Sequence, residues 1–130
     1  MKTLKPNVKL LRAVMAKIES DPDHWDQTWW SSTIDHSKAA TPCNTAYCFA
    51  GWAVKIDGCR WVKGWTGLLH ARKDDPPDYV VNGAVDVSDR AQRILGLTGT
   101  QSTDLFAAHN TMDKLRRKVN ALCDTKGDQV

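Results

Sequence analysis

This 130-residue chain predicts a mainly helical (α+β) domain, with four to five short helices around a central buried one and a small antiparallel β-hairpin. Three observations lead there. Apolar residues recur at helical spacing in several separate stretches. Asn82-Gly83 sits between two β-prone runs, and it is the dipeptide that best tolerates a type I′ turn. The acidic residues are almost all aspartate, with Glu19 the single glutamate, and aspartate suits caps and turns better than helix interiors.

The first helix is expected over Asn7 to Ser20. Val8, Leu11, Met15 and Ile18 share one face, Leu10 and Val14 widen it, and Asp21-Pro22 stops it. Residues 21–42 read as irregular. Asn44 or Thr45 should cap a second helix running to about Asp57, closed by Gly58, with Phe49, Trp52, Ala53 and Ile56 on one face. "CRWV", residues 59–62, is a short strand candidate. "KGWTGLLHARKDDPP" reads as a mobile connection, and "DYVVNGAVDV", residues 78–87, as the hairpin. Ser88 then caps a helix with Ala91, Ile94 and Leu95 inward, closed by Gly96. Thr100 caps another that carries Leu105 and Phe106. Asn110, with Asp113 three residues on, opens the last helix, lined by Met112, Leu115, Val119 and Leu122. Residues from about 124 to 130 form a tail, and no repeat or domain boundary divides the rest, so one domain over 1–130 is expected.

Composition narrows the classes. Hydrophobic residues at 42% and charged residues at 25% are globular values, so disorder is not expected. A net charge of +3 is too small to indicate nucleic-acid binding by itself. Lys9, Arg12 and Lys17 interrupt any apolar signal-peptide core, and the longest uncharged run, 39–54, is polar and too short for a membrane span. A cytoplasmic location with reduced cysteines is therefore expected.

The densest stretch is "PCNTAYCFAGWAV", residues 42–54. With Asn44 as cap, Cys43 precedes it and Cys48 is the fourth helical position, which is the spacing of a hydrophobic staple. Thr45 as cap would preserve that contact with altered geometry. Packing by two buried thiols is the favoured reading. A disulfide remains open, as does zinc completed by His36, His70 or Cys59, although CxxxxC is not a standard zinc knuckle. Ala50-Gly51 flattens one side of the helix, where another helix or a tryptophan ring should pack closely.

These residues carry a resemblance. "CNTAYCFAGWA", followed by "A…ILGLT…LF", is similar to a pattern in small proteins encoded by actinobacteriophages, mycobacteriophages in particular. Cys43, Thr45, Cys48, Ala50, Gly51, Trp52 and Ala53 match its first block, and Ala91, Leu95, Gly96, Leu97, Leu105 and Phe106 its second. Asn44 departs from the usual glycine. Asparagine also caps and tolerates the left-handed region, so the fold expectation survives. The resemblance covers about residues 20 to 110 and implies origin and shape, with no particular reaction.

All six tryptophans lie between residues 25 and 65, and most should fill the core around the Cys48 helix. Adjacent Trp29 and Trp30 cannot both point inward from a regular element, so an exposed ring is expected there. Trp25, Trp29 and Trp30, with a second patch of Trp61 and Trp65 beside Arg60 and Lys63, are candidate partner-binding residues. The acidic surroundings of Trp25 to Trp30 favour a protein partner over nucleic acid.

No G-x-S-x-G, HExxH, Walker or GxGxxG motif occurs. His24, flanked by Asp23 and Asp26, has the chemistry of a general base, but carboxylates beside a histidine in a loop are ordinary surface chemistry. No catalytic residue is therefore assigned, and a small Cys/His enzyme or zinc protein is kept as one alternative. The other is a weak nucleic-acid binder using Lys114, Arg116, Arg117 and Lys118 of the last helix. The preferred expectation is a non-catalytic accessory protein without cofactor that binds a host or phage protein, with self-association open and a membrane role excluded.

Overall fold

In a computed structural model, the described residues are 5–27, 32–33, 45–62, 68–73 and 75–124. They form five α-helices and two small antiparallel pairings, a mainly α fold as expected. The expected tail beyond 124 lies outside them.

Helix α1 spans Val8–Ser20 and buries Leu11, Val14, Met15 and Ile18. Asn7 caps it, its Oδ1 accepting from the Leu10 N–H at 3.1 Å. The same residue donates its own N–H to the Leu95 carbonyl at 2.8 Å and its Nδ2 to the Ile94 carbonyl at 3.1 Å. One asparagine thus starts α1 and fastens it to the end of a helix far along the chain.

Strand β1 (Ser32–Thr33) pairs antiparallel with β2 (Thr45–Ala46), and α2 follows over Phe49–Ile56. This corrects the expected second helix. Thr45 is extended and pairs with Thr33, Asn44 lies outside the described residues, and the cap is Cys48. The Cys48 backbone is extended, with φ −75° and ψ −177°, and its Sγ accepts from the Gly51 N–H at 3.4 Å. Cys48 therefore precedes the helix instead of occupying its fourth position, while Cys43 lies outside the described residues. Phe49 through Val54 are all buried, which makes α2 the central helix, packed on α1 and α3 (Val87–Leu95) and touching α4 (Gly99–Phe106). Ile56 departs from the expected inner face at 41% exposed.

Gly58, at φ 84°, closes α2. Its N–H donates to the Lys55 carbonyl at 3.1 Å, and the Cys59 N–H to the Val54 carbonyl at 3.0 Å. These are the two bonds of a Schellman ending.

The Asn82-Gly83 turn forms as expected, with φ of 52° and 76° and a Val81–Ala84 bridge. Its pairing differs. Residues Pro77–Tyr79 curl into a 3-10 turn, and β4 (Ala84–Asp86) pairs instead with β3 (Leu68–His70), inside the stretch read as a connection. Leu69 and Val85, opposite each other, are both buried, so core burial selects this partner. The expected strand 59–62 is reduced to one bridge, Trp61 to Leu69.

Helices α3 (Val87–Leu95), α4 (Gly99–Phe106) and α5 (Met112–Asp124) complete the fold. Their starts shift from expectation. The α3 cap is Asp86 rather than Ser88. Thr98 rather than Thr100 caps α4, in a reciprocal box with Gln101. Thr111 opens α5, its Oγ1 accepting from the Lys114 N–H at 3.2 Å. Asn110 instead closes α4, its Nδ2 donating to the Asp104 and Leu105 carbonyls at 2.9 Å each.

Gly96 ends α3 in the left-handed region at φ 69°, with the Leu97 N–H bonded to the Gln92 carbonyl at 3.1 Å. A Cβ there would overlap the Lys5 carbonyl oxygen. Gly96→Ala should therefore cost about 2 kcal/mol by forcing a left-handed alanine and pushing residues 5–7 off α3. Gly83→Ala, also at positive φ but facing open space, should cost less in the same denaturant unfolding measurement.

Candidate functional site

The expected aromatic centre is assembled around α2. Tyr47 meets the Trp52 ring edge-on with centroids 5.0 Å apart, and Trp61 at 5.7 Å. Trp52 Nε1 donates to the His24 carbonyl at 2.9 Å, and Trp25 Nε1 to Gln27 Oε1 at 3.0 Å. Lys17 lies over the Trp52 ring and Lys55 over Tyr47. Trp25 and Trp61 pack against the core, so of the candidate partner-binding residues these two are largely committed to packing. Trp29, Trp30 and Trp65 lie outside the described residues.

Cys48 is fully inside, and burial pushes its thiol up to about 11. A neutral thiol that caps a helix is a poor nucleophile. Cys43 lies outside the described residues, and among those described no group of three metal-ligating side chains converges. His24 Nδ1 lies 2.7 Å from Asp21 Oδ1. That hydrogen bond holds the Asp21 carboxyl below its ordinary value. The basic stretch of α5 is partly occupied. Arg116 donates to Glu19 at 2.6 Å and Asp113 at 2.7 Å, and Lys118 donates to Asp104 at 2.9 Å. Contact with phosphate would have to compete with these carboxylates.

Two features escaped the sequence reading. The first is an apolar cleft of about 490 Å³ on the hairpin side, lined by Val62, Leu68, Ala84, Tyr79 and Val81, with Asn82 and Asp86 as polar neighbours. Tyr79 is 47% exposed and Val81 68%, the largest exposures among the described large apolar residues. The signal was the doubled valine Val80-Val81 beside an exposed turn, where only one of two adjacent side chains can face inward.

The second is a buried ionic knot. Asp75, 6% exposed, accepts from Arg90 Nε at 2.9 Å, Arg93 Nη2 at 2.8 Å and the Arg72 N–H at 2.6 Å, and Arg90 Nη2 closes a second bond to its other oxygen. Arg90, 1% exposed, also donates to the His70 carbonyl at 3.2 Å and to Cys59 Sγ at 3.0 Å. Arg72 donates to Asp57 Oδ2 at 2.6 Å and to Cys59 Sγ at 3.2 Å. The knot joins the end of α2, strand β3, the 72–75 loop and α3.

Comparison with protein-family models, with curated proteins and with solved structures finds no match. Among the described residues no helix is long and apolar enough to cross a membrane.

Proposed function

We propose that this chain is a phage-encoded accessory protein of the host cytoplasm that acts by binding a host or phage protein, not by catalysis. The observation that supports it is the Tyr79–Val81 cleft. A solvent-facing tyrosine and valine flank an apolar depression with few polar groups, and aromatic anchors around such depressions concentrate binding energy in protein interfaces. The phage origin rests on the resemblance carried by residues 43–53 and 91–106. Host takeover, toxicity and superinfection control are all roles that such binding serves.

The test is affinity capture from an actinobacterial lysate, followed by binding of the captured protein in purified form. Tyr79→Ser/Val81→Ser should weaken that binding about tenfold or more, as loss of a hot-spot anchor does. Ile56→Ser, away from the cleft, should leave it unchanged. Trp29→Ala/Trp30→Ala tests the other candidate surface. Undiminished binding by the cleft variant would move the interface away from the hairpin. If sedimentation shows instead that the cleft variant turns a dimer into a monomer, the occupant is a second copy of this chain.

A further inference from the structure

Cys59 differs from the capping Cys48. The Schellman ending of α2 brings it out of the helix, leaving it partly exposed. Two guanidiniums converge on its sulfur, Arg90 Nη1 at 3.0 Å and Arg72 Nη2 at 3.2 Å. Each arginine is positioned by a carboxylate of its own, Arg90 by Asp75 and Arg72 by Asp57. A neutral thiol is a weak acceptor, whereas charged N–H donors bind best to an anion. The thiol also faces the Asp57 carboxylate at 3.9 Å, but two guanidiniums outweigh that one anion, so the arrangement is complementary to negative charge at or on that sulfur.

We propose that Cys59 is an oxidation site, at which a peroxide-class oxidant converts the thiol to a sulfenic acid whose ionised oxygen Arg72 and Arg90 then hold. The thiol first loses its proton to water. The sulfur electron pair attacks one peroxide oxygen, the S–O bond forms and the O–O bond breaks. The departing hydroxide takes up a proton and leaves as water. Sulfur is oxidised by two electrons and the peroxide reduced by two, so thiol plus hydrogen peroxide gives sulfenic acid plus water.

The charges facing the sulfur act in opposite directions. Burial and the Asp57 carboxylate push the thiol up, Arg90 and Arg72 pull it down, and the balance lies above its ordinary value. Attack therefore quickens as pH rises, and the arginines limit how far the thiolate is suppressed. Removing one of them should raise the thiol further. Because nucleophilicity partly compensates for basicity, a shift of one pH unit should slow the reaction only about threefold.

The experiment treats the full chain with hydrogen peroxide while a cyclic 1,3-diketone traps sulfenic acid, and reads each cysteine by peptide mass mapping across pH. Cys59 should be trapped well ahead of Cys48. Arg72→Met should slow Cys59 about threefold or more and move the midpoint of its pH profile upward, with Cys48 unaffected. Arg72→Lys keeps the charge without the fork and should fall between. Circular dichroism melts establish that each variant is folded, and Arg72→Lys carries the comparison if Arg72→Met is not. Trapping of Cys59 no faster than Cys48, or a rate and midpoint indifferent to Arg72, overturns the proposal.

Discussion

Asp75→Ala should lower the unfolding free energy by about 3–5 kcal/mol, the cost of leaving a buried charge without its partner. Arg90 is 1% exposed, and its guanidinium would keep only the His70 carbonyl and the Cys59 sulfur. The Arg72 N–H would lose its acceptor as well. Urea or guanidinium unfolding monitored by tryptophan fluorescence measures the loss. The double variant Asp75→Leu/Arg90→Met should recover much of it, because apolar side chains of similar volume avoid desolvating either charge. A cost below about 1 kcal/mol for Asp75→Ala would mean that water reaches the pair, since exposed ion pairs are worth no more than that.

The same pair sets an acid limit. Burial pushes the Asp75 carboxyl up, but hydrogen bonds from Arg90, the Arg72 N–H and Arg93 outweigh it, so the carboxyl ends below its ordinary value of 3.8. A carboxyl depressed by folding contributes stability that is fully present above the unfolded value. That contribution is lost as pH falls below 3.8 through the lower folded value. In the Leu/Met double variant, stability should fall less steeply with acid over that window.

Why the knot was hidden in the sequence while most helices were not is a matter of range. Helices α1, α3 and α5 repeat their apolar positions within a few residues, and those patterns survive folding: Leu11, Val14, Met15 and Ile18, then Ala91 and Leu95, then Leu115 and Val119 are buried. Asp75 and Arg90 meet across 15 residues, and Asp75 stands in a Pro- and Asp-rich segment that reads as surface loop. One signal was present. Arg90 lies beside Ala91 and three residues after Val87, on the inward side of α3, where a charge requires a buried partner. Cap positions are less legible, because several Ser, Thr and Asn residues compete for each start and tertiary packing decides among them. Nothing local indicated that a cysteine sulfur would displace Asn44 and Thr45 at the start of α2. The residues that carry the resemblance include neither the cleft nor Asp75, Arg72 and Arg90 of the knot.

Gln27→Leu should cost about 3 kcal/mol, although the two side chains differ little in volume. The amide is buried between the beginning of α2 and the end of α4. Its Oε1 accepts from the Phe49 N–H at 3.1 Å and from Trp25 Nε1 at 3.0 Å, and its Nε2 donates to the Leu105 and Ala107 carbonyls at 3.2 Å each. Asn110 also serves the Leu105 carbonyl, so leucine there chiefly deprives the Phe49 N–H, the Trp25 indole and the Ala107 carbonyl. Phe49 is fully buried at the first turn of α2, and a buried donor left unmade costs about 1–3 kcal/mol. The part-buried Trp25 and Ala107 groups, which water can reach in part, supply the remainder. Hydrogen exchange separates this account from a general loosening. The Phe49 amide should lose protection far more than the Gly51 amide, which keeps its bond to the Cys48 sulfur. Equal loss at both would mean that the whole start of α2 depends on Gln27, and that Cys48 cannot hold it alone.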